Sequence, residues 1–190
     1  EGITGQIEID LKKPDESEGL FLNAYANHLG RYELNANSSM LINDEWSILV
    51  LGHASAMTKD FDHNNDGFMD MPMKQLGNAM VRAKYSSEES MIQFGLKGLK
   101  EHRSSGQSHE FHKEMNHKLY EINGDVDRWE SFVKSGFILD EKDPNHLALF
   151  FSQADHDQKF TIGLHQYDGK QRFISTKAVS RIKCQMIRLL

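Results

Sequence analysis

The sequence predicts an all-α protein made of two pairs of helix-loop-helix units, with short β contacts between the paired loops. Two stretches, LFLNAYANHLGRYE from Leu20 and FFSQADHDQKFTIG from Phe150, align without gaps as an apolar helix end, a polar loop and one strand-like residue. The same template fits at Asp62 and Leu119, so four loops begin at Tyr25, Asp62, Leu119 and Asp155, with one long interval between two short ones. Only three prolines occur, and no period-2 alternation runs long enough to predict a sheet.

Taken in order, residues 1–16 form an N-terminal extension, and residues 17–85 hold the first pair, with loops at 25–36 and 62–73. Residues 86–108 form a linker. Its helix, SSEESMIQFGLKGLKE, is capped by Ser86 or Ser87 with Glu89 following, and carries an apolar stripe of Met91, Gly95/Leu96 and Leu99. Arg103 to Ser108, RSSGQS, reads as the hinge. Residues 109–176 hold the second pair, with loops at 119–130 and 155–166, and residues 177–190 are a basic amphipathic tail. In the tail Val179, Ile182, Met186/Ile187 and Leu190 alternate with Lys177, Arg181, Lys183 and Arg188. Docking over the apolar face of the pairs is its first reading; an acidic partner or a membrane surface is the second.

Composition bounds the function. A chain of 190 residues with 38% hydrophobic and 26% charged residues has the make-up of a globular protein. A formal charge of −6 and a pI near 5.9 exclude a phosphate-backbone binder. A lone cysteine, Cys184, leaves no internal disulfide framework. The longest apolar run, SILVLGHASAM from Ser47, is too short for a bilayer-crossing helix, so no transmembrane segment is expected. The amino terminus shows no signal pattern, while Asn37-Ser38-Ser39 fits a glycosylation sequon. Either a cytoplasmic or a secreted location, with a leader removed before Glu1, accords with these features.

The chemistry concentrates in FDHNNDGFMDMPM, Phe61 to Met73. A calcium loop of twelve residues supplies oxygens from positions 1, 3, 5, 7, 9 and 12, with glycine at 6. Asp62, Asn64, Asp66, Gly67, the Phe68 carbonyl, the inward Met69 and Asp70 fit in that order, and Met73 replaces the bidentate glutamate. Three carboxylates remain to attract a cation, so weak Ca2+ or Mg2+ binding at Asp62, Asn64, Asp66, Phe68 and Asp70 is expected. Tyr25 and Ala36, Leu119, and Lys159 and Gln166 damage the other three loops. This pattern resembles the EF-hand superfamily, and the length and loop spacing resemble sarcoplasmic calcium-binding proteins and coelenterate photoproteins. The resemblance implies a compact pair of EF-hand lobes with inactive loops, and in some members a buried organic ligand.

Other constellations are weaker. His102, His109, His112 and His117 could supply a zinc site, but solvated histidines on a helix explain them more simply. Met57, Met69, Met71, Met73 and Met80 suggest either an adaptable groove or core packing. No GxSxG or P-loop motif occurs, so no enzyme is expected. The functional expectation is a non-catalytic EF-hand calcium-binding-family protein acting by protein interaction or ligand carriage. Its alternatives are a carrier of an apolar small molecule or photoprotein-like oxygenase, and a secreted matrix protein. No nucleic-acid partner is expected.

Overall fold

The computed structural model describes residues 12–108, 120–140 and 145–181. It is a single antiparallel sheet of eight strands: β1 (Phe21–Ala26), β2 (Arg31–Leu41), β3 (Trp46–Met57), β4 (Met73–Ser86), β5 (Ser90–Gly106), β6 (Glu121–Asp140), β7 (Asn145–Ile162) and β8 (His165–Arg181). Each strand pairs with its sequence neighbours, in the order β1 to β8. Among the described residues there is no helix.

This overturns the all-α expectation and, with it, the EF-hand resemblance. Loop 25–36 is the end of β1, a turn and most of β2; loop 155–166 is the end of β7, a turn and the start of β8. The expected linker helix is a turn followed by β5. Its apparent stripe mixed two faces: Ile92, Phe94, Leu96 and Gly98 share one side of the strand, and Met91, Gly95 and Leu99 the other. Apolar residues of both parities mimic a helical period.

Local chemistry explains the turns. Asn27 Oδ1 accepts from the Leu29 and Arg31 amides at 3.1 and 3.0 Å, and Gly30 takes φ 82° where a side chain would be strained. Asn43 Oδ1 caps the Glu45 and Trp46 amides at 3.0 and 2.7 Å. Ser87 closes the β4–β5 turn through the Ser90 amide. At this end of the sheet the links are residues 42–45, 87–89 and 141–144. The opposite end has two tight links, 27–30 and 163–164, and two long ones, 58–72 and 107–120.

Burial is one-sided. Asn37, Ser47, Leu49, Met80, Arg82, Gln93, Gly95, Glu101 and Gly124 are the buried strand residues apart from Gly106 at the end of β5. Cross-strand register places all nine on one face, hereafter the inner face. Residues 12–18 cross this face as a strap. Pro14 is fully buried, as is Leu49 of β3. Arg82 Nη1 donates to the Lys12 carbonyl, Lys84 pairs with Asp15, and Ser39 Oγ donates to the Ser17 carbonyl at 2.8 Å. Burial alone would raise the Asp15 pKa, but the Lys84 hydrogen bond and charge outweigh it and hold the carboxyl below 3.8.

Aromatic rings lie against glycines on adjacent strands. A Cβ added at Gly95 would sit 2.1 Å from Phe132 Cε1, one at Gly98 3.0 Å from Trp129 Cζ3, and one at Gly124 2.9 Å from Phe160 Cδ2. These pairs fix the register of β5 with β6 and of β6 with β7.

Candidate functional site

All five residues of the expected cation site lie in the link between β3 and β4. The loop organises itself through its own side chains. Asp62 Oδ1 and Oδ2 accept from the Asp66 and Gly67 amides at 3.2 and 2.9 Å. Asn64 Oδ1 accepts from the Asp66 amide at 3.2 Å, and Asp66 Oδ1 from the Phe68 amide at 2.9 Å. Asp70 Oδ2 accepts from the His63 amide at 2.7 Å. Asn65 and Gly67, at φ 57° and 86°, turn the chain. The Met69 amide donates to Gly106, the Ser108 amide to Gly67, and Met69 is buried, so the loop is seated on the end of β5.

The side chains thus curl the backbone instead of forming a cage. Among the described residues, no three His, Cys, Asp or Glu side chains converge as a metal site. Without entering and exiting helices among the described residues, the EF-hand reading of this loop is corrected: there is no helix pair to close on an ion.

The remaining candidates separate as well. Met57 and Met80 face inward, Met73 faces outward and Met71 is exposed, so the five methionines do not share one surface, although Met57 and Met71 border a common pocket. His102 pairs with Asp125 at 2.8 Å; His109, His112 and His117 lie outside the described residues, as do Leu119 and Cys184. Glu130 meets Arg128, and Asp155 meets Arg172, whose hydrogen bond holds the Asp155 carboxyl below 3.8. The start of the expected tail, residues 177–181, belongs to β8.

The informative feature is the contrast between the two faces. On β1–β4 the outer face presents Leu22, Ala24 and Ala26; Tyr32, Leu34, Ala36, Ser38 and Met40; Trp46, Ile48, Val50, Gly52, Ala54 and Ala56; and alternate residues from Met73 to Tyr85. None of these positions is charged. The apolar band continues through Ile92, Phe94 and Leu96, then Trp129 to Phe137, then Leu147 to Phe151, and reaches Ile174 to Ala178. Charges on the outer face of β5–β8 lie only toward the long-link end, from Lys100, Asp127, Asp155 and Arg172 outward.

Aromatic side chains mark both borders of the band. Trp46 and Tyr85 face each other near the short links, with ring centroids 5.2 Å apart; Tyr32 and Trp129 stand at the other border, Trp129 being 59% exposed. The band centres on Ala36 in β2 and on Leu149 in β7, whereas the register sets Asp155 on the Ala36 row. That drift is about 20 Å along the strands for about 24 Å across them, a tilt of roughly 40° to the band. From Tyr32 to Met40 the band is about 27 Å along the strand, or roughly 21 Å after tilt.

The inner face carries most of the charge and is net basic. It carries Arg31, Lys74, Arg82, Lys84, Lys97, Arg103, Arg128, Lys134 and Lys177 against Glu33, Glu101 and Glu130. Glu101, 8% exposed, meets both Lys74 and Arg103. Burial would raise its pKa, but those two cations hold it below 4.5. The whole chain is acidic at −6, so charge is segregated onto one surface. No protein-family model, curated protein or solved structure matches the chain.

Proposed function

We propose that this sheet is membrane-spanning wall of the β-barrel kind, with its outer face toward lipid and its inner face toward an aqueous lumen. The role is structural and non-catalytic. The observation that carries the reading is the uncharged outer face of β1–β4, bordered by aromatic residues, backed by a charged inner face. A water-soluble sheet shows the opposite pattern, polar side out and apolar side buried.

Other features agree. A tilt of roughly 40° and a band of roughly 21 Å fall near the geometry of such walls, about 35–45° and about 25 Å. All three links at one end are short and both long links lie at the other, which fits the same architecture. Among the described residues no helix is long and apolar enough to cross a membrane; in this reading the strands cross instead. The run from Ser47 is too short for a helix yet matches the 9–11 residues a tilted strand needs. The outer edges of β1 and β8 have no partner among the described residues. A membrane wall requires that both be paired, with each other or with further strands.

The test uses the full chain with Cys184→Ser, refolded into liposomes, and single cysteines placed at successive positions 92–99 carrying a fluorophore. Brominated lipid should quench labels at 92, 94, 96 and 98, and iodide those at 93, 95, 97 and 99. Equal quenching at both parities ends the reading. Weak Ca2+ or Mg2+ binding at the Asp62 loop is carried with it as a proposal on residue types alone.

A further inference from the structure

We propose that the inner face holds a binding track for a soluble oligoanion, built on Lys84, Lys134 and Lys177. These lysines share one cross-sheet row, in the order Lys84, Gln93, Lys134, Phe150, Lys177. The first position is already filled by an acidic side chain from outside the sheet, because Asp15 of the strap pairs with Lys84. Lys134 and Lys177 have no carboxylate partner among the described residues; the Lys134 ammonium lies 5.4 Å from the Phe132 ring centroid. The three carboxylates of the inner face are already engaged: Glu33 with Arg31, Glu101 with Lys74 and Arg103, and Glu130 with Lys97 and Arg128. Among the described residues none is left to neutralise the other two lysines of the row.

The ligand class follows from this charge and spacing. Lys134 and Lys177 stand two strands apart, about 10 Å between backbones, with long flexible stems that converge on a multiply charged group. A compact molecule with several phosphate or carboxylate groups meets both ammonium groups at once, with Phe150 beneath it. Ser152 and Ser175, directly opposite each other one position along, add hydroxyl donors. Asp15 acts as a built-in surrogate at one end, so ligand and strap compete for Lys84.

The experiment is calorimetric titration of the full chain, folded in maltoside micelles at low ionic strength, with sodium tripolyphosphate and in parallel with citrate. Saturable one-to-one binding of either probe is expected. Lys134→Gln with Lys177→Gln should weaken it about tenfold, the effect of two charge-assisted contacts. Lys100→Gln with Lys170→Gln removes the same charge from the outer face and should change it less than about twofold. Asp15→Asn should tighten binding, and the Lys134→Arg, Lys177→Arg double variant should retain it, which excludes misfolding as the cause of loss. No saturable binding, equal weakening by both charge-removing doubles, or weaker binding in Asp15→Asn overturns the proposal. The test does not use a bilayer. Binding without alternating lipid quenching would refute the membrane wall alone, and quenching without binding would refute the anion track alone.

Discussion

Val81 gives the most direct energetic test of which side of the sheet meets lipid. It lies on the outer face of β4, opposite Val50 and Leu96, and is 45% exposed. From the Tyr85 border it is four residues inward, about 13 Å along the strand and roughly 10 Å in depth after tilt. That is close to the middle of the apolar band. In water, Val81→Arg at an exposed strand position costs within about 0.5 kcal/mol of nothing. In a bilayer midplane, arginine costs about 2–4 kcal/mol, a shift of roughly thirtyfold to a thousandfold in the folding equilibrium. Asn78→Arg on the inner face of the same strand, opposite Leu99 and His53, should cost less than about 1 kcal/mol. Reversible guanidinium unfolding from phosphatidylcholine bilayers, followed by tryptophan fluorescence, measures both. Equal costs for the two variants, or less than about 1 kcal/mol for Val81→Arg, would refute the reasoning.

Three further outcomes are expected. Gly95→Ala should displace the Phe132 ring and cost about 1–3 kcal/mol by overpacking, whereas Gly136→Ala, with nothing within 4 Å, should be near neutral; paired denaturant curves compare them. Glu101 and Asp15 have depressed folded-state pKa values, so their stabilisation is present above about pH 4.5 and is lost as pH falls through the folded values. Unfolding midpoints should fall on that acid limb, and Glu101→Gln should flatten it while lowering stability at pH 7 by about 1–3 kcal/mol. Asp62→Ala removes two carboxylate-to-amide hydrogen bonds and should open the loop to protease cleavage between residues 58 and 72. If the loop takes Ca2+ or Mg2+, calorimetric heat in the parent disappears in that variant, and no heat up to several millimolar ends the cation proposal.

How far the sequence was legible varies by element. The Asp62 loop was readable because its aspartates and glycine act locally: the same side chains that build a calcium loop also cap amides here, whatever flanks them. The expected hinge at Arg103 to Ser108 instead holds the last four residues of β5, paired into the sheet as far as Gly106, and the first two residues of the link that follows. The strands were not read, because apolar residues occupy both faces of several of them and blunt the period-2 alternation. Outer positions use Ala54, Ala56, Gly77 and Ala79 beside Val50 and Ile48, while inner positions include Leu49, Leu51 and Met80. Both parities then look apolar, and such runs of Leu, Met and Ala also suit a helix. The charge surplus of the inner face was hidden for a related reason. Its cations are scattered over five strands, and only the register gathers them.

The neighbour-to-neighbour order of the strands bears on how the protein acquires its structure. Every strand pairing joins segments consecutive in the chain, so each hairpin can zip from its own link with little loop-closure entropy to overcome. The strap is different. Arg82 reaches the Lys12 carbonyl across 70 residues of sequence, further than any strand pairing, the widest of which joins Ser90 to Phe137. Its attachment point on β4 exists only once that strand is in place, so the strap can close only after β4 has joined the sheet.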